Sequence, residues 1–137
     1  MQPLTGSPNV AIELHDSEVT GVRPVGEGIA IDLSAYVHRT EGEPGVDLGT
    51  VWKQPACITL RIGRHFDILP ATLDPIYDGI IVAGTRTFSN MVPCPFVSEG
   101  DAAIDFTLSS GDRIRFDGNG LTLTFTGEAE YLYDFDY

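Results

Sequence analysis

Ile104-Asp105-Phe106-Thr107-Leu108-Ser109-Ser110-Gly111-Asp112-Arg113-Ile114-Arg115-Phe116-Asp117-Gly118-Asn119-Gly120-Leu121-Thr122-Leu123-Thr124-Phe125-Thr126 alternates apolar and polar side chains, broken twice at glycine. A period of two puts every second side chain on one face of a strand, so Ile104, Phe106 and Leu108, then Ile114 and Phe116, then Leu121, Leu123 and Phe125 describe three half-buried strands. The glycines suggest how they join. A two-residue Gly118-Asn119 loop pairs Phe116 with Leu121 and Ile114 with Leu123, all on one face. A two-residue Gly111-Asp112 loop sets Ser109 against Ile114 and fails. A three-residue Ser110-Gly111-Asp112 loop pairs Leu108 with Ile114 and Phe106 with Phe116. The expectation is an antiparallel meander with one bulged turn.

The same rhythm recurs upstream. Val10, Ile12 and Leu14 form one row, and Val19 to Val22 continue it after a break at His15-Asp16. Ile29, Ile31, Leu33, Ala35 and Val37 form the longest row. Trp52, Ala56, Ile58, Leu60 and Ile62 share a parity, with Pro55 marking an edge or a bulge. Tyr77 to Val82 is a shorter strand, and Met91 to Phe96 an extended edge segment. No window has helical periodicity. About ten short strands in residues 10–137 imply a single-domain, all-β antiparallel sandwich or flattened barrel, preceded by a disordered leader over residues 1–9.

A chain of 137 residues, 42% apolar, is long enough for one core. Acids outnumber bases 20 to 8, for a net charge of −12. That balance excludes non-specific nucleic-acid binding and attraction to an anionic membrane surface. It serves solubility, or it steers the chain to a basic protein partner. No apolar run approaches a membrane span, and Met1 to Pro8 has neither a basic start nor an apolar stretch. With only Cys57 and Cys94, these features point to the reducing cytoplasm, where a disulfide is not expected. Oligomeric state is left open.

Between Tyr36 and Trp52 the alternation stops. Tyr36-Val37-His38-Arg39-Thr40-Glu41-Gly42-Glu43-Pro44-Gly45-Val46-Asp47-Leu48-Gly49-Thr50-Val51-Trp52 has neither period, and a long polar loop in a small domain is a place to look for function. Tyr36 and His38 lie opposite the apolar row of the strand before it, and Arg39, Glu41, Glu43 and Asp47 follow. If the end of the first strand neighbours His38, then His15, Asp16 and His38 make a set suited to a divalent metal such as Zn²⁺ or Fe²⁺. Otherwise His15 and Asp16 shape a turn and His38 bonds a neighbouring acid or carbonyl. Glu41, Glu43 and Asp47 lack the spacing of a calcium-binding EF-hand loop, and the expected arrangement is a solvated loop clamped by Arg39. His65 reads as a surface residue of a turn. No nucleophile motif or phosphate-binding loop is present, so catalytic residues are not assigned and no cofactor is expected. Trp52 and Tyr36 would suit a sugar site, but the parity of Trp52 points it to the core. Tyr131-Leu132-Tyr133-Asp134-Phe135-Asp136-Tyr137 puts four aromatics on one parity, as a final strand or as a docking segment.

Leu14-His15-Asp16-Ser17, the Tyr36–Asp47 stretch with Gly49-Thr50-Val51-Trp52, Asp78-Gly79, and Gly127-Glu128 with the aromatic, acidic end together resemble a group of small uncharacterised bacterial all-β proteins. The resemblance spans most of the chain and implies no activity. His15-Asp16 after an early strand, with the acidic charge, is similar to immunity proteins of bacterial toxin systems. The function expected from the residues is a non-catalytic, intracellular interaction protein, which the second resemblance would make immunity-like, with a contact surface combining the His38–Asp47 loop, His15, Asp16 and the tail. A small metal-dependent enzyme using His15, Asp16 and His38 is the alternative.

Overall fold

The computed structural model describes residues 9–62 and 74–136, and they form one antiparallel sheet of nine strands with no helix among them. The strands are β1 (Asn9–Val25), β2 (Gly28–Thr40), β3 (Gly49–Arg61), β4 (Ile76–Ala83), β5 (Arg86–Phe88), β6 (Met91–Pro93), β7 (Phe96–Leu108), β8 (Arg113–Phe125) and β9 (Glu130–Phe135). Their order is β5-β4-β7-β8-β3-β2-β1-β6, with β9 paired to β3 beyond the end of β8. The sheet is not closed by strand pairing, but it folds over until β1 meets the chain just before β4 in an isolated Glu18–Pro75 bridge. One cluster gathers Ile12, Ile31, Ile58, Ile81, Phe106 and Leu123 from both halves, which places the core inside the fold. Of the expected leader, Asn9 opens β1 and residues 1–8 lie outside the described residues, as do His65 and Tyr137.

The all-β class follows from the alternation, and the row Ile29, Ile31, Leu33, Ala35, Val37 is buried along its full length. The expected meander is corrected in two places. Its first turn is bulged, but the loop is Ser109-Ser110-Gly111. Gly111 adopts φ 97° and its N–H donates to the Leu108 carbonyl at 2.9 Å. A three-residue hairpin loop needs its left-handed residue last, and glycine takes that conformation without a Cβ clash. The register therefore shifts by two, to Phe106↔Ile114 and Ile104↔Phe116, which leaves the buried face unchanged.

The second expected turn does not exist. Gly118-Asn119 lies inside β8, which runs unbroken between β7 and β3. Phe116 and Leu121 differ by an odd number of positions, and a bulge can absorb that parity change as well as a hairpin can. Gly120, with φ 67°, is the extra residue facing Leu60 and Arg61 of β3. Gly118 is needed for another reason: a Cβ there would collide with the Arg61 carbonyl oxygen.

Pro55 stands in β3, neither at an edge nor at a bulge in its pairing with β2. Its carbonyl accepts from the Thr126 N–H at 2.9 Å, at the seam between β8 and β9. The proline nitrogen, which has no proton to give, faces that seam instead of β2. Gly118→Ala is expected to lower unfolding free energy by about 2–4 kcal/mol in urea titrations, whereas Gly100→Ala, with open space around it, changes it by less than about 0.5 kcal/mol.

Candidate functional site

β1 carries three more residues than β2 between the pairs Glu13↔Tyr36 and Glu18↔Ser34. The surplus is gathered in Leu14-His15-Asp16-Ser17, a bulge made possible by a left-handed Asp16 at φ 74°. A gap of that size would leave backbone groups unpaired, and Ser17 fills it. Its fully buried hydroxyl donates to the Glu13 carbonyl at 2.6 Å and accepts from the Tyr36 N–H at 3.0 Å. One side chain thus replaces main chain in the ladder. Asn90 braces the bulge from the other side. Its carbonyl accepts from Leu14 N–H at 2.8 Å, and its side-chain oxygen accepts from His15 N–H at 2.7 Å.

The bulge aims His15 and Asp16 outward, both exposed. His15 Nδ1–H donates to the Tyr77 carbonyl at 2.7 Å, and Nε2 lies 3.5 Å from Asp16 Oδ1. The Tyr77 carbonyl raises the His15 pKa above its ordinary 6.5, with the charges of Asp16, Glu13 and Asp78 adding to it against a small cost of burial.

His38 is 4% exposed on the outer face of the sheet. Its Nε2–H donates to Glu13 Oε1 at 2.7 Å, and the Phe135 ring stands edge-on at 5.1 Å. The register explains both contacts. Glu13 pairs with Tyr36, one step along the face from His38, and Phe135 pairs with Gly49, diagonal to His38 through Val51. Tyr133 pairs with Val51, the partner of His38. Burial raises the Tyr133 pKa, and nearby Glu13, Tyr36 and Asp16 raise it further. Lys53 sits 5.6 Å above the Tyr36 ring. Glu13, Asp16, Tyr36 and Tyr133 thus form one acidic and aromatic surface with His38 beneath it.

The tail is a strand, but its aromatics do not share a face. Leu132 is an extra residue between the pairs Val51↔Tyr133 and Trp52↔Tyr131. Tyr131 consequently turns to Trp52, ring centroids 5.5 Å apart, while Tyr133 and Phe135 lie on the His38 side. The Tyr131 hydroxyl donates to Asp134 at 2.7 Å, which raises the tyrosine pKa.

Arg39 does not clamp the loop. Being one residue out of phase with His38, it points to the opposite face, where its guanidinium stacks 4.9 Å from the Trp52 ring and donates to Gln54 Oε1 at 3.1 Å. The loop over residues 41–48 is held by Asp47 within it, by Thr40 of β2, and by Asn9 of β1, whose side-chain amide donates to the Gly42 carbonyl. Asp47 accepts from Glu43 N–H at 2.6 Å, and Thr40 donates to the Leu48 carbonyl at 2.5 Å and accepts from Gly42 N–H at 3.1 Å. Glu41 and Glu43 are exposed. Gly45 rests on Met91, and an apolar groove of about 500 Å³ lies between the loop and β6, lined by Val10, Pro44, Val46 and Phe88 among others.

His15, Asp16 and His38 do not form a metal site. Among the described residues no three His, Cys, Asp or Glu side chains come together in a way that could hold an ion, and the His38 imidazole is committed to Glu13. Both cysteines are free and buried. Burial pushes Cys94 up to about 12 and raises Cys57 as well, so neither is an appreciable thiolate at pH 7. Trp52 packs partly buried against the core, as its parity indicates. No helix among the described residues is long and apolar enough to cross a membrane.

Sequence reasoning singles out the loop, His15, Asp16 and the tail, and passes over Glu13, Ser17 and Asn90, which the structure sets around His15, Asp16 and His38. Only the odd spacing between the Leu14 and Val19 rows hints at the bulge that gives those three their roles. No protein-family model, curated protein or solved structure matches the chain.

Ser17→Ala strands the part-buried Tyr36 N–H and Glu13 carbonyl and is expected to cost about 1–3 kcal/mol in denaturant titration. A raised histidine pKa stabilises the fold fully below the unfolded-state value, and that stability is lost as pH rises through the folded value. His15→Ala should therefore flatten the fall in melting temperature that the wild type shows just above pH 6.5.

Proposed function

We propose that this chain is a non-catalytic, intracellular interaction protein that recognises a basic protein partner through the outer face of β1, β2, β3 and β9 and the loop over residues 41–48. The observation carrying this reading is where apolar surface is left uncovered. Of the eight large hydrophobic side chains exposed among the described residues, three belong to that loop and the outer face of β9, Val46 at 51%, Leu48 at 61% and Tyr133 at 52%, and Tyr131 is exposed on the opposite face of the same strand. Leu48 adjoins Gly49, which pairs with Phe135, so loop and strand form continuous ground. Exposed aromatic and aliphatic side chains grouped in this way favour an interface over a solvated surface. Glu41 and Glu43 of the loop and Glu130 of β9 are exposed in the same segments, and a chain of net charge −12 attracts a basic surface at long range. The likeness of His15-Asp16 and the acidic charge to bacterial immunity proteins agrees with such a role, in which an acidic protein masks a basic toxin surface.

The test uses a Leu48→Ser, Tyr133→Ala double variant that melts within about 2 °C of wild type, since surface changes usually cost little. Wild type should retain a specific partner from an extract of its own cells at low salt and release it as ionic strength rises, and the variant should not retain it. Identical recovery by both proteins sinks the reading.

A further inference from the structure

We propose that the outer edge of β9 receives an extended, basic segment of the partner as an additional strand, a docking mode that rests on the interaction reading above. Among the described residues the sheet has three strands paired on one side only: β5, β6 and β9. Open edges invite pairing, and proteins blunt them with short strands, proline or lysine. β5 and β6 fit that description. Each has three residues, β5 begins with Arg86, and β6 ends in Pro93. β9 has six residues and no proline, and the guards it does carry are the Leu132 bulge and the acids Glu130 and Asp134, which repel an acidic strand and not a basic one.

The chemistry of β9 selects the occupant. No Lys or Arg follows Arg115, and Glu128, Glu130, Asp134 and Asp136 are all acidic and exposed. A second copy of this chain is a poor fit, because antiparallel self-pairing centred on Leu132 sets Glu130 against Asp134 twice, and like charges directly opposite are destabilising. A strand carrying Lys or Arg reverses the sign of every one of those contacts. The Leu132 bulge sends Tyr131 and Tyr133 to opposite faces of the sheet. An incoming strand, whose own side chains alternate, meets a ring on each face, and arginine stacks on such rings. Arg86 over Phe88 at 4.9 Å and Arg39 over Trp52 at 4.9 Å show the same pairing within this chain. Main-chain hydrogen bonds supply the attachment and the acids supply the choice of partner.

The experiment follows backbone amide hydrogen exchange of the full chain by NMR with a capped peptide of alternating Arg and Val at about millimolar concentration, enough to detect weak docking. The expected result is slowing by about tenfold or more confined to amides of residues 130–135. It should be absent with a Glu-Val peptide, absent with an Arg-Val peptide methylated on alternate backbone nitrogens, and lost in Asp134→Lys and in Glu130→Lys, two folded variants that guard against one failing. Equal binding by the methylated peptide, protection elsewhere, no protection at all, or a β9-dependent dimer without peptide overturns the proposal. Partner retention that depends on Leu48 and Tyr133 without any β9 protection overturns strand addition while leaving the interaction reading standing. β9 protection in a chain that retains no partner counts against the partner reading instead of the edge.

Discussion

The Ser17 hydroxyl holds the outer face together. β1 has three residues too many to pair with β2, and without a group to span the gap the strands would separate where the surface is built. By donating to Glu13 and accepting from Tyr36, Ser17 keeps both neighbours in register across the bulge. Glu13 then lies diagonal to His38, the buried imidazole finds an acceptor, and the Phe135 ring closes over it. Burying an imidazole on the solvent side of a sheet is unfavourable unless its N–H is paired. The link between β1 and β2 therefore reaches the position of β9.

Three of the bulges in this sheet set its core and surface chemistry: Leu14–Ser17 in β1, Gly120 in β8 and Leu132 in β9. Each changes which parity faces inward without turning the chain back. At Gly120 the change keeps Phe116 and Leu121 both in the core of one continuous strand. At Leu132 it divides the tyrosines between two faces. At β1 it lifts His15 and Asp16 out of the ladder. Surface chemistry is thus placed by local interruptions of strands that are otherwise regular and deeply buried.

This mechanism sets what the amino-acid pattern can tell. The inward rows are legible because burial selects apolar side chains at every second position, and Ile29 to Val37 is read without error. The parity change at Gly118-Asn119-Gly120 is equally visible, but a hairpin and a bulge satisfy it alike. Only the long-range pairing of β3 with β8 distinguishes them. Arg39 is misplaced by the assumption that a cation beside an acidic loop turns toward it, when strand alternation sends it to Trp52. The four tail aromatics share a parity in sequence and lose it at a bulge no composition marks. Glu13 is an ordinary polar residue until the register sets it beside His38.

The surface that results is acidic at its rim, aromatic at its centre and anchored by buried polar bonds, and it combines residues from four strands and one loop. Its defining property is that it is pre-formed, with β9 docked as a strand. Backbone ¹⁵N relaxation of the free protein tests that most directly. The account predicts order parameters near about 0.85 for residues 130–135, as in rigid strands, together with cross-relaxation between the Phe135 and His38 rings. Values below about 0.6 with no contact between those rings would mean a detached tail, and would contradict it.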